Sequence, residues 1–267
     1  MAGLLRSVKD AVKQTPLYPI LRPRRLHVYG IGAPKTGTIS LARLFGNYRT
    51  AHEAHASESV DILAAGIDGK ELRGRVRKRD RRLRLECEVG YFLVYLAEAL
   101  AAEFTDAKFI CTVRPPRSWL RSIIDQSINN SRDELPEEYR QLRDYSFGEI
   151  PERYSAQEQP LAYYGLHSLE GYLTYWAFHY RKVLGELPSE RRLFLRTQEL
   201  SEATRKIADF VGIPESTLQT DENHAHRTSN KHRVLAEIDE DYIRDKIAAH
   251  CEETVTRLTQ ETPITLE

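Results

Sequence analysis

The chain has 267 residues, 41% of them hydrophobic and 29% charged, which suits a folded globular protein and excludes a disordered or fibrous one. Lys plus Arg number 39, as do Asp plus Glu, so the net charge is zero and a uniformly basic, nucleic-acid-binding coat is excluded, although a local basic cluster is not. Cys87, Cys111 and Cys251 have no paired spacing, so they give neither a disulfide framework nor a zinc motif and read as reduced thiols.

Leu4, Leu5, Val8 and Val12 recur at helical spacing, which predicts a helical extension within residues 1–24 that docks on the rest of the chain. No run approaches 18 apolar residues, so no membrane span is expected. The N-terminus also lacks the apolar core of a signal peptide, which makes a cytoplasmic location the expectation.

From Leu26 to Ile31 the sequence is β-rich and enters a glycine-containing turn. Thr38 to Phe45 follows with helical periodicity. Lys70 to Arg84 carries nine basic residues without interleaved aromatics and reads as a solvated helix face. Leu83 and Leu85 predict a short strand that ends in Glu86 and Glu88. A helix over Tyr91 to Phe104 leads to Lys108–Val113, a continuous apolar strand of the kind buried on both faces. Pro115 and Pro116 suit the first turn of a helix that carries Trp119, Leu120, Ile123 and Ile124. A helix over His167 to Leu187 precedes another buried strand at Leu193 to Leu195. This alternation predicts a three-layer α/β fold, a central parallel sheet with helices on both faces. Residues 1–267 are expected to form one domain. A polar segment, 129–165, reads as a flap on the substrate side. A C-terminal helix over 234–259 presents Leu235, Ile238, Tyr242, Ile247, Cys251, Val255 and Leu258 as one stripe.

The informative segment is Gly32-Ala-Pro-Lys-Thr-Gly-Thr-Ile-Ser-Leu41, a loop between the first strand and the first helix. Backbone N–H groups at the helix start, the helix dipole, the Lys35 charge and the hydroxyls of Thr36, Thr38 and Ser40 make an anion site. It is not the ATP-type loop G-x-x-x-x-G-K-[ST]: Lys35 precedes Gly37, and Thr38 stands where that lysine belongs.

These residues resemble the 5′-phosphosulfate loop of sulfotransferases that use 3′-phosphoadenosine 5′-phosphosulfate (PAPS) and release PAP. Pro34, Lys35, Thr36, Gly37, Thr38, Ile39 and Ser40 occupy the loop; Ile39 departs from the pattern where many members have a second hydroxyl. The resemblance implies a 3′-phosphate site made by an arginine at a strand end and a serine eight residues on. Arg114 and Ser122 have that spacing. It also implies a basic C-terminal loop over the nucleotide, for which Arg227, Lys231 and Arg233 are positional candidates. It further implies a hydroxyl acceptor, a small molecule or a carbohydrate or glycolipid, and no required metal.

The acceptor hydroxyl needs a base. Members place a glutamate or a histidine after the second strand, where this chain has His52 and Glu53; Glu53 is the first choice, with Lys35 as the catalytic cation. Tyr139, Tyr145, Tyr154, Tyr163, Tyr164 and the helix bearing Trp176 are expected around the acceptor. Two rival readings remain. One is a P-loop kinase or nucleotide hydrolase, with Glu86 or Glu88 holding magnesium. The other is a PAP-binding module that does no chemistry.

Overall fold

The structure, a computed structural model, describes residues 23–130, 134–148, 153–220 and 232–266. The N-terminal helix expected around Leu4 to Val12 lies outside them, as do Arg227 and Lys231 and parts of the 129–165 segment.

Five short strands form one parallel sheet among the described residues: β1 (Val28–Gly30), β2 (Thr50–His52), β3 (Cys87–Val89), β4 (Lys108–Val113) and β5 (Arg192–Arg196). Their order is β2-β3-β1-β4-β5. Alternation along β4 divides the core. Phe109, Cys111 and Val113 face one apolar cluster, and Ile110 faces the other. The first cluster packs under α4 (Ala97–Glu103), α5 (Pro116–Asn129), α8 (Leu169–Glu186) and α10 (Glu240–Glu261). The second packs under α1 (Thr38–Leu44) and α9 (Thr204–Val211). Helices therefore cover both faces, which is the three-layer arrangement expected.

Around this frame lie α2 (Ala56–Ala64), α3 (Gly69–Leu83), α6 (Glu137–Phe147) and α7 (Gln159–Tyr163). The strand expected at Leu83 and Leu85 is displaced. Leu83 is the last residue of α3, where its side chain is buried, and Arg84 ends that helix in a left-handed conformation. Strand β3 begins only at Cys87, so Glu86 precedes it and Glu88 sits in its middle. The segment after it opens as a 3-10 helix, Tyr91–Leu96, before α4. The C-terminal helix is likewise broken: Val234–Glu237 forms a 3-10 turn, Ile238 is extended, and Asp239 caps α10 by accepting from the Tyr242 N–H at 2.9 Å. The described parts of 129–165 are largely helical, in α6, a 3-10 turn and α7.

Of the basic run 70–84, Lys70, Arg75, Arg77, Lys78 and Arg81 are exposed, as expected of a solvated helix face, but some of its members also hold the fold. Arg79 is 3% exposed and forms a two-pronged ion pair with Glu88, at 2.7 and 2.5 Å. The same guanidinium donates to the Ala54 carbonyl at 2.6 Å and so holds the turn that follows β2. Arg77 pairs with Glu103, and Arg82 with Glu58. Removing one partner of a buried pair strands the other charge, so Arg79→Leu is expected to cost about 3–5 kcal/mol. The exposed Lys78→Ala should change stability by no more than about 0.5 kcal/mol. Denaturant unfolding checks both; a loss below about 1 kcal/mol in Arg79→Leu would contradict the pairing.

Candidate active site

Parallel strands place their following loops at one sheet edge, and here those loops enclose a cleft of about 1180 Å³. Pro34, Lys35, Gly37, Thr38, Ile39 and Ser40 line it, together with His52, Glu53, Arg114 and Ser122. The first group comes from the loop after β1, the second from the ends of β2 and β4 and from α5.

The loop takes its shape from close contact and left-handed backbone. A Cβ on Gly32 would lie 2.0 Å from the Thr112 hydroxyl, so only glycine fits there. Lys35 and Gly37 both have positive φ, 66° and 93°. At Lys35 this is a conformation that costs a non-glycine residue energy. Surrounding hydrogen bonds fix it. Thr36 donates its hydroxyl to the Ala33 carbonyl at 2.7 Å and meets the Thr112 hydroxyl at 2.8 Å. Thr197, after β5, donates to the Thr36 carbonyl at 2.7 Å, and the Trp119 indole donates to the Pro34 carbonyl at 2.7 Å. The Thr36 hydroxyl, expected to face an anion, is therefore fully buried and spent inside the loop.

Arg114 stands one residue past β4. The Trp176 indole donates to its backbone carbonyl at 3.1 Å. Ser122 follows two turns along α5, on the same cleft. Burial lowers the pKa of Lys35, and the nearby Arg114 charge lowers it further, against an opposing effect of Asp125. Burial also lowers that of Arg114. Among the described residues neither cation has a hydrogen bond or an ion pair. Two half-buried like charges facing one another are a site that gains by binding an anion.

At the end of β2, His52 Nε2 lies 3.0 Å from the Thr38 hydroxyl. Glu53 turns into a left-handed conformation, its N–H held by the Val89 carbonyl at 2.7 Å, and its carboxylate is 3.8 Å from His52. Burial pushes the Glu53 carboxyl up to about 7, although Tyr139 donates a hydrogen bond that opposes the rise. Burial pushes His52 down to about 4. At neutral pH the imidazole is thus neutral, and Glu53 is poised to exchange a proton.

The sequence over residues 27–226 matches the family described as the sulfotransferase domain. The chain belongs to that family.

Solved sulfotransferases share its fold. One from Alicyclobacillus acidocaldarius superposes with a TM-score of 0.51 at 19% identity, over 88% of this chain and 95% of its own. Sulfotransferase STF9 from Mycobacterium avium gives 0.51 at 12% identity, over 92% and 81%. No curated protein sequence matches.

The acids that favoured a magnesium site in this sulfotransferase are committed elsewhere. Glu88 is held by Arg79. Burial would raise the Glu86 carboxyl, but hydrogen bonds from the Arg25 side chain and from the backbone N–H groups of Arg49 and Arg25 outweigh it and hold Glu86 at about 2. Neither lines the cleft.

The wall beyond Glu53 also differs from expectation. Tyr139 lines it, but Tyr145, Tyr163 and Tyr164 are exposed, and Tyr154 donates its hydroxyl to the Leu166 carbonyl. Trp176 is buried against Arg114 rather than the cleft. Tyr91, Arg143, Phe147, His167, Tyr172 and Tyr175 line it instead. Sequence reasoning passed over Arg143, although it stands one helical turn beyond Tyr139. It also passed over Thr197, for which no local pattern exists.

The raised Glu53 carboxyl has a stability consequence. The folded state keeps this proton to higher pH than the unfolded chain does. Its contribution is complete below about pH 4.5 and is lost as pH rises through about 7. Glu53→Gln mimics the protonated acid, so at pH 8 it should stabilise the fold by on the order of 3 kcal/mol, and near pH 4.5 by almost nothing. Thermal unfolding of both proteins at the two pH values checks this; an equal effect at both would refute a buried, raised carboxyl.

Proposed function

We propose that this sulfotransferase moves the sulfuryl group of PAPS to an acceptor hydroxyl and releases PAP. The carrying observation is the pair of half-buried cations, Lys35 and Arg114, that have no carboxylate partner among the described residues and face one cleft. An anion with two separated charged groups fits such a pair.

When bound, PAPS supplies an activated sulfuryl group on a phosphate leaving group, together with a 3′-phosphate. On this reading Lys35 Nζ and the N–H groups at the start of α1 hold the phosphosulfate end. The Arg114 guanidinium and the Ser122 hydroxyl hold the 3′-phosphate. The Thr38 hydroxyl is oriented by His52 Nε2, and this contact leaves Glu53 as the base. A carboxyl near pKa 7 can accept the acceptor's proton at Oε at neutral pH. Arg227 and Lys231 are proposed as further contacts to the nucleotide. The remaining requirement is to hold the two reactants in line and to exclude water, and the cleft walls supply that.

Calorimetric titration tests the donor. PAP should bind without magnesium and should not be displaced by Mg-ATP; failure of PAP to bind would end the reading. Arg114→Ala should weaken PAP by about 10- to 100-fold, the worth of a lost charge-assisted contact. Lys35→Ala should cut turnover by about 10²- to 10³-fold. Glu53→Gln should cut turnover while sparing PAP affinity, and kcat/KM of the native protein should rise with pH through about 7. Equal PAP loss in the Lys35 and Glu53 variants would remove the base assignment. Tight PAP binding without transfer to any hydroxyl would make the chain a binding module.

A further inference from the structure

The end of the cleft beyond Glu53 has one wall made by a single helix face. Tyr139, Arg143, Ser146 and Phe147 on α6 are spaced i, i+4, i+7 and i+8, and all four line the cleft. Tyr139 donates to Glu53, so this face is at the proposed base. Next to it the rings stack. Phe147 lies flat on His167, with centroids 4.3 Å apart and planes 13° apart, and meets Tyr175 at 4.7 Å. This is a floor for an apolar ring.

Two polar features interrupt it. The Tyr175 hydroxyl is buried and has no hydrogen-bond partner among the described residues. Arg143 is half-buried, and its charge reaches the Tyr91 phenol. No described carboxylate lies within ion-pair distance of it. Lys35 and Arg114 belong to the donor end. A bound donor neutralises them and leaves Arg143 as a cation with no counter-ion. Desolvating such a guanidinium against an aromatic wall is unfavourable unless the incoming molecule brings the opposite charge.

We propose that the acceptor carries an anionic group, a carboxylate or phosphate, on an apolar ring body, and that Arg143 binds that group while the acceptor hydroxyl meets Glu53. The inference rests on the donor reading above. It makes Arg143 the residue that selects among acceptors by charge.

The test is a calorimetric titration of the full-length protein, first with PAP and then, at PAP saturation, with three probes on one 4-hydroxyphenyl ring: 4-hydroxyphenylacetate, 4-ethylphenol and tyramine. The anionic probe should bind about tenfold or more tighter than the neutral one, and the cationic probe most weakly. Arg143→Gln should bring the anionic-to-neutral ratio within about threefold, Arg143→Lys should keep the order, and Arg143→Glu should invert it in favour of tyramine. Equal binding of the three probes, no binding of any, or a preference that survives in Arg143→Gln overturns the inference while the donor reading stands. Failure of PAP itself to saturate the protein overturns both.

Discussion

Three threonine hydroxyls tie the ends of three strands together, and the whole cleft hangs on them. Thr36 in the loop after β1 meets Thr112 at the end of β4, and Thr197 beyond β5 donates both to the Thr36 carbonyl and, at 3.1 Å, to that of Val113. All three contacts are short-range and directional, and they replace the ladder bonds that cease where the sheet ends. They let Lys35 hold a backbone conformation that it would not adopt alone. A lysine on a loose loop would turn toward water. Here it is kept facing Arg114, against their mutual repulsion.

Electrostatic strain is spread over the same few residues. Lys35 and Arg114 repel each other, and Glu53 is half-buried beside a neutral His52. Each arrangement is unfavourable by itself and improves beside a charge of the right sign. The compensation lies further out. The buried Arg79–Glu88 pair is fully matched, and through the Ala54 carbonyl it braces the turn next to Glu53. Charges that are paired hold in place the charges that are not.

Much of this was legible in the sequence, and the residues explain why. Lys108–Val113 is read without error because a strand buried on both faces is apolar throughout. The tight loop after β1 is read because glycine, proline and lysine at fixed spacing leave few conformations open. Leu83 and Leu85 mislead, since a two-residue apolar alternation also fits the last turn of an amphipathic helix, and only the left-handed Arg84 separates the two. Trp176 misleads for another reason: its stripe on α8 is real, but the stripe faces the core. The partners of Arg79, the role of Thr197 and the stacking of Phe147 on His167 depend on contacts between distant segments, which no local pattern encodes. Nor does composition reveal that Glu53 is buried enough to shift its proton.

The chain contains two tryptophans, and both are fully buried. Each donates its indole N–H to a backbone carbonyl beside a cation, Trp119 to Pro34 next to Lys35 and Trp176 to Arg114 itself. All indole fluorescence of the protein therefore originates beside these two cations, and Trp119 also packs on the aromatic wall, its ring centroid 6.2 Å from those of both Tyr172 and Tyr175. The polypeptide carries its own optical reporters for the cleft: Trp176 behind Arg114, and Trp119 between the lysine loop and the aromatic wall.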